Sequence, residues 1–119
     1  EYNIYAGIDT VEKAYVKASE VLISDRPRAF FVSGDERALG VYRAIYERGL
    51  SIPEDVAVLG VDNITLGEYY YPPISTIDQD FELLAKYCID YVINRIEDPS
   101  QTEKKVLKFP GRIKERKST

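Results

Sequence analysis

Three acids and an amide stand where a chain of this pattern could hold a ligand. Asp62 and Asn63 follow Pro53-Glu54-Asp55-Val56-Ala57-Val58-Leu59-Gly60-Val61, a short apolar run rich in β-branched residues that stops abruptly at an acid and an amide. A carboxylate accepts hydrogen bonds and an amide both donates and accepts. The pair therefore suits a polyhydroxylated ligand such as a sugar, or a purine edge. The local alternative is a turn or helix cap, since Asx side chains bond their own backbone. Asp35, in Ser33-Gly34-Asp35, and Asp9 stand ahead of helix patterns, where N-capping is the plain role. Both also reach a ligand if their helices start from the same sheet edge as Asp62.

Other chemistries find no support. Asp35 and Asp62 form the kind of carboxylate pair used in glycoside hydrolysis, but no nucleophile, metal cluster or phosphate loop accompanies them. Gly34 and Gly40 do not make a dinucleotide fingerprint. The 119 residues contain no histidine, which removes a Ser-His-Asp triad and a His-ligated zinc. The single cysteine, Cys88, removes an internal disulfide and a multi-cysteine metal site, and on the apolar face of its helix it reads as a small core residue. A net charge of −4 argues against a nucleic-acid-binding surface, which is ordinarily basic. No apolar run approaches the ~18 residues of a membrane span, and no signal peptide is visible. The start at Glu1 rather than Met reads as a fragment. The expectation is a binding module without enzymatic activity, cofactor or metal.

The elements that would position these residues alternate between helix and strand. Val11, Ala14, Tyr15, Ala18, Val21 and Leu22 keep helical spacing. Arg26-Pro27 ends that helix. Ala29 to Val32 is an uncharged strand. Ala38, Leu39, Tyr42, Ile45 and Tyr46 mark a second helix, with Gly49 placed as its C′ residue. Val56 to Val61 carries no charge, the pattern of a central parallel strand covered on both faces. Such an order implies a parallel sheet with right-handed crossovers, and ligands of open α/β sheets bind beyond the strands' carboxyl ends. Ile74 to Ile77 reads as a short edge strand, and Asn3 to Ala6 as a strand end or loop. Phe81, Leu84, Ala85, Cys88, Ile89, Val92 and Ile96 form the strongest helical stripe. Lys105 to Phe109 alternates, with Lys104 and Lys108 opposite Leu107 and Phe109. Arg112 to Thr119 reads as a solvated basic terminus. Tyr69, Tyr70 and Tyr71 before Pro72-Pro73 read either as loop packing or as an interface cluster. Glu54-Asp55 reads as solvated loop charge, and the Asn63-Ile64-Thr65 sequon as a chance match.

Several linked strings resemble the lactose-repressor (LacI/GalR) family of bacterial transcription regulators. They are Pro27-Arg28-Ala29-Phe30-Phe31-Val32, Gly34-Asp35-Glu36-Arg37-Ala38-Leu39-Gly40, Arg48-Gly49-Leu50, Ile52 to Asn63, Pro72-Pro73-Ile74-Ser75-Thr76-Ile77, Gln79, and the closing Arg116-Lys117-Ser118-Thr119. The resemblance implies a periplasmic-binding-protein-like (type I) α/β sandwich with a parallel sheet, of which this chain supplies the C-terminal part. Residues 1–78 and 104–119 would form the C-terminal subdomain. Residues 79–98 would be a helix that packs on the N-terminal subdomain, and the helix-turn-helix lies outside the chain. The implied ligand contacts are Asp62, Gly34, Asp9, Asp35 and Asn63. Gly34 stands where the family commonly has Asn, and Asp9 where it commonly has an aromatic residue. These departures point to an effector unlike that of the best-known members. The implied dimer interface includes Glu36, Leu39, Tyr42, Tyr69 and Tyr70. The implied protein is cytoplasmic and homodimeric, does not enter a membrane, binds a small sugar- or nucleoside-like effector, and touches DNA only through the absent domain. The competing function is a periplasmic sugar-binding protein serving an ABC transporter. The stripe from Phe81 to Ile96, without its partner subdomain, is expected to pack on its own subdomain or on a second chain.

Overall fold

Four strands and three helices follow one another as helix, strand, helix, strand, strand, helix, strand in the computed structural model, which describes residues 2–100 and 106–119. They are α1 (Val11–Ser24), β1 (Ala29–Phe31), α2 (Asp35–Tyr46), β2 (Ala57–Val61), β3 (Ser75–Asp78), α3 (Phe81–Glu97) and β4 (Arg112–Lys114), with a 3-10 turn at Thr65–Tyr69. The sheet order is β1-β2-β3-β4. The first three strands are parallel and β4 runs antiparallel to β3. Registers pair Phe30 with Val58, Gly60 with Thr76 and Ile77 with Ile113. The carboxyl ends of β1, β2 and β3 consequently share one edge, where Gly34, Asp62 and Gln79 emerge.

α1 begins at Thr10, whose hydroxyl accepts from the Lys13 amide at 3.2 Å. It buries Ala14, Ala18, Val21 and Leu22, the i, i+4, i+7, i+8 stripe of an amphipathic helix. α2 buries Ala38, Val41, Tyr42, Ala44 and Ile45 against it. The two helices meet closely at Gly40, where an added Cβ would lie 2.2 Å from the Val11 carbonyl oxygen. No side chain fits there without parting the helices. This contact sets α1 beside α2 and brings both helix N-termini to the carboxyl edge of the sheet. The core continues through Val56, Val58 and Ile74. β2 is not covered equally on both faces: Val58 and Gly60 are buried, while Ala57, Leu59 and Val61 are half-buried.

β3 is an internal strand rather than an edge, because residues 112–114 add a fourth strand beyond it. The terminus is not solvated either. Ser118 is fully buried. Its hydroxyl donates to the Val58 carbonyl at 2.6 Å and accepts from the Ser75 amide at 2.8 Å, and the Val58 amide donates to the Ser118 carbonyl at 2.7 Å. Arg116 donates to the Ile74 carbonyl and to Asn63 Oδ1, each at 2.8 Å, and pairs with Glu68 at 3.1 Å. Arginine's fork of five donors suits such a multi-acceptor seat, so a basic composition here reflects structural anchoring. The alternation expected over residues 105–109 forms no strand at residues 106–109, and residues 101–105 lie outside those described. Asn3 to Ala6 is irregular.

α3 stands apart. None of its residues is buried, and Phe81, Ile89, Val92 and Ile96 are all more than half exposed. Cys88 is exposed rather than in the core. The helix does not fold back on its own subdomain, which corrects one of the two packings expected for it. The half-buried Phe109 ring reaches it, 5.3 Å from that of Tyr87. The molecule is accordingly elongated, 60 × 26 × 25 Å.

The Ser118 seat makes a direct prediction. Ser118→Ala leaves the buried Ser75 amide and Val58 carbonyl without their hydroxyl partner, at a cost of about 2 kcal/mol, readable as a lower urea midpoint with an unchanged m-value.

Candidate functional site

α2 starts with a buried acid. The sequence reading makes Asp35 an N-cap, but Gly34 holds the cap position and Asp35 is the first helical residue. Its side chain turns inward, is fully buried, and accepts from Thr76 Oγ1 at 2.7 Å and from the Ile64 amide at 3.0 Å. Its backbone carbonyl accepts from the Tyr70 hydroxyl at 2.9 Å. Gly60 makes the approach possible: a Cβ there would lie 2.0 Å from Asp35 Oδ1. Burial pushes the Asp35 carboxyl above its ordinary range, and the Thr76 and Ile64 donors offset part of that rise. Burial also pushes the Tyr70 phenol up to about 12, with the Asp35 charge contributing.

The exit of β2 is bent by two residues in the left-handed region, Asp62 (φ 104°) and Asn63 (φ 52°), a conformation that short polar side chains tolerate best. Asp62 Oδ1 accepts from Gln79 Nε2 at 2.6 Å, and its other oxygen has no partner among the described residues. Asn63 spends its amide within the protein, donating to Asp78 at 3.0 Å and accepting from Arg116 at 2.8 Å.

A hollow of about 400 Å³ opens at this edge, lined by Asp9, Thr10, Val11, Glu12, Gly34, Glu36, Arg37 and Asp62. Of the residues expected at a ligand, Asp9, Gly34 and Asp62 thus share one space, while Asp35 and Asn63 are not among its lining residues. Asp9 is exposed and forms an ion pair with Lys13 at 2.5 Å, which, as the main cause, holds its carboxyl below the ordinary range. Sequence reasoning did not single out Arg37 or Glu12. The signal for Arg37 is its place three residues after Gly34, on the same side of the first turn of α2. Gln79 was legible as part of the family strings, but its bond to Asp62 was not. The carboxylates can accept from hydroxyl groups and Arg37 can donate to hydroxyl oxygens, a donor and acceptor set that fits a polyol.

A second concavity, of about 640 Å³, is aromatic. Tyr15, Leu39, Tyr46, Leu66, Tyr69 and Tyr71 are among its lining residues. Leu39, Tyr69 and Glu36 are exposed, whereas Tyr42 and Tyr70 are buried beneath. Their rings meet edge to face at 5.3 Å, and the Tyr42 hydroxyl donates to the Pro72 carbonyl at 3.1 Å. The tyrosine loop therefore packs inward through Tyr70 and outward through Tyr69 and Tyr71, which are 79% and 87% exposed.

Residues 1–119 match the periplasmic binding protein-like domain family over their whole length. The chain is 35% identical over 117 residues to the HTH-type transcriptional repressor PurR of Vibrio atlanticus (strain LGP32), covering 98% of this chain and 35% of that protein. It is 39% identical over 85 residues to the ribose operon repressor of Escherichia coli (strain K12), covering 71% of this chain and 26% of that protein. A LacI family transcriptional regulator from Enterococcus faecium, solved with bound ribose, superposes with a TM-score of 0.83 at 34% identity, covering 93% of this chain and 41% of that one. The chain thus spans only about a quarter to two fifths of these relatives' lengths.

The buried acid predicts a pH signature. Because the folded Asp35 carboxyl titrates above its ordinary value of 3.8, the stability it contributes is complete below that value and is lost as pH rises through the raised folded one. In urea titrations across the acid range, the stability of the native chain relative to Asp35→Asn should fall as pH rises through this window. A difference independent of pH would show that the carboxyl titrates alike in both states.

Proposed function

This chain belongs to the periplasmic binding protein-like domain family, and we propose that it is the effector-binding and dimerisation part of a bacterial LacI-type transcriptional regulator that senses a small sugar-like ligand. One observation carries the reading. Asp62, Asp9 and Gly34, far apart in sequence, line one polar hollow at the carboxyl edge of a parallel sheet, where ligands of such sheets bind. Its similarity to repressors, and to a regulator solved with bound ribose, supports the same function.

In this reading residues 1–78 and 104–119 form one wall of a cleft and α3 belongs to the other. A first subdomain of the parent protein covers the apolar face of Phe81, Ile89, Val92 and Ile96, a larger exposed stripe than a soluble protein ordinarily leaves bare. Ligand closing the cleft favours one arrangement of the two walls over the other, and DNA affinity follows that population shift through a domain outside this chain. The protein acts in the cytoplasm and is not an enzyme. No helix among the described residues is long and apolar enough to cross a membrane.

The aromatic concavity serves as the contact with a second copy. Leu39, Leu66, Tyr69 and Tyr71 offer exposed apolar area on one side of α2, Glu36 and Leu39 extend it along the helix, and Tyr42 and Tyr70 act from beneath by holding the loop. Aromatic residues are enriched at such interfaces.

Two measurements test these statements. A thermal-shift screen of the full-length parent against sugars and nucleosides should return a hit whose stabilisation disappears in Asp62→Ala; a hit indifferent to that change refutes the site. Tyr69→Glu places a charge on an exposed ring position without touching the core, so sedimentation of the full-length parent should move from dimer toward monomer with little change in melting temperature. An intact dimer would exclude this face.

A further inference from the structure

The hollow contains one cation whose bonding is incomplete. Arg37 forms no hydrogen bond or ion pair among the described residues, and its Nε is buried without a partner. Its guanidinium lies where a side chain at position 34 would project: an added Cβ on Gly34 would sit 2.5 Å from Nη2 and 2.9 Å from Cζ and Nε. Gly34 itself has φ 151°, a conformation side chains rarely adopt. The missing side chain of Gly34 and the placement of Arg37 are therefore one arrangement, in which the arginine fills the space that glycine leaves and brings donors to the edge where Asp62 brings an acceptor. A buried donor without a partner is costly in a finished protein, about 1–3 kcal/mol, and a bound acceptor removes that cost.

Building on the sugar-sensing reading above, we infer that Arg37 is the specificity-determining contact of this site, gripping vicinal hydroxyl oxygens of an uncharged sugar whose neighbouring hydroxyl donates to the free oxygen of Asp62. The planar fork of arginine matches two adjacent oxygens, as an ammonium does not. Charge argues for an uncharged ligand. With Asp9 paired to Lys13, Glu12, Glu36 and Asp62 still face a single guanidinium in the hollow. The two helix N-termini add roughly half a positive charge each. The hollow stays negative and opposes a phosphate, while a polyol satisfies its carboxylates and its arginine together.

Calorimetric titration of the full-length parent tests this with D-ribose, D-galactose, lactose, cellobiose and D-ribose 5-phosphate. The expected result is binding of at least one neutral sugar, weakened tenfold or more by Arg37→Met and partly retained by Arg37→Lys, with D-ribose 5-phosphate binding more weakly than D-ribose or not at all. Without ligand, Arg37→Met should melt at or slightly above the native temperature, since it removes a buried donor without a partner and breaks no internal bond, so a loss of binding is not a loss of fold. Loss of binding in Asp62→Ala with native affinity in Arg37→Met overturns the role of Arg37 and leaves the sensing function standing. Tighter binding of the phosphorylated than of the neutral sugar overturns the uncharged ligand. No binding of any sugar overturns the sensing reading, and this inference with it.

Discussion

The carboxylate of Asp35 is the tie on which the carboxyl edge of the sheet depends. A fully buried acid is expensive to desolvate, and it is tolerable here because two elements bring donors to its carboxylate while a third holds its backbone. β3 supplies the Thr76 hydroxyl, the segment after β2 supplies the Ile64 amide, and the tyrosine loop reaches the Asp35 backbone through the Tyr70 hydroxyl. Gly60 leaves the room. The tie holds the start of α2, the bend after β2 and the loop before β3 in fixed relation. Gly34 and Arg37 on one side and Asp62 on the other inherit their positions from it.

A second set of bonds secures the same edge from the far end of the chain. Arg116 and Asn63 share a hydrogen bond, Asn63 passes on to Asp78, and Ser118 bridges Val58 and Ser75. β3 is short, four residues, and would be weak as an edge. With β4 on one side and β2 on the other it becomes the internal strand from which Gln79 emerges. The site is thus built by residues close in space but drawn from almost the whole length of the chain, and its exposed acids rest on a scaffold of satisfied buried polar groups.

The alternation of helix and strand, the parallel sheet and the shared edge were legible because hydrophobic period and connection length act locally. α1, α2 and α3 follow their apolar stripes closely. The solvated tail was a wrong expectation for a clear reason: Arg112–Lys114 holds one apolar residue, Ile113, and stays exposed, so its pairing with β3 leaves no hydrophobic stripe to read. Cys88 was misplaced because a stripe says which face is apolar and not whether anything covers it. Asp35 was assigned a cap from its place before the helix pattern, yet the helix begins one residue earlier and the carboxylate points inward. Arg37 escaped notice because its significance lies in a space, the one vacated by Gly34, and composition along the chain does not show space.

The bond between Asp62 and Gln79 joins two different kinds of residue. Asp62 ends a strand of the sheet at the hollow. Gln79 is the penultimate residue before α3, and Asp80, which follows it, is itself left-handed, with φ 49°. A single hydrogen bond of 2.6 Å therefore connects the acid at the hollow to the joint carrying the one helix that leaves the body of the molecule. Any free energy by which turning α3 strains that bond is, by thermodynamic reciprocity, the same free energy by which a group competing for Asp62 would bias the direction of α3. The acid and the joint are the two ends of one hydrogen bond, so neither can be re-bonded without the other losing a partner.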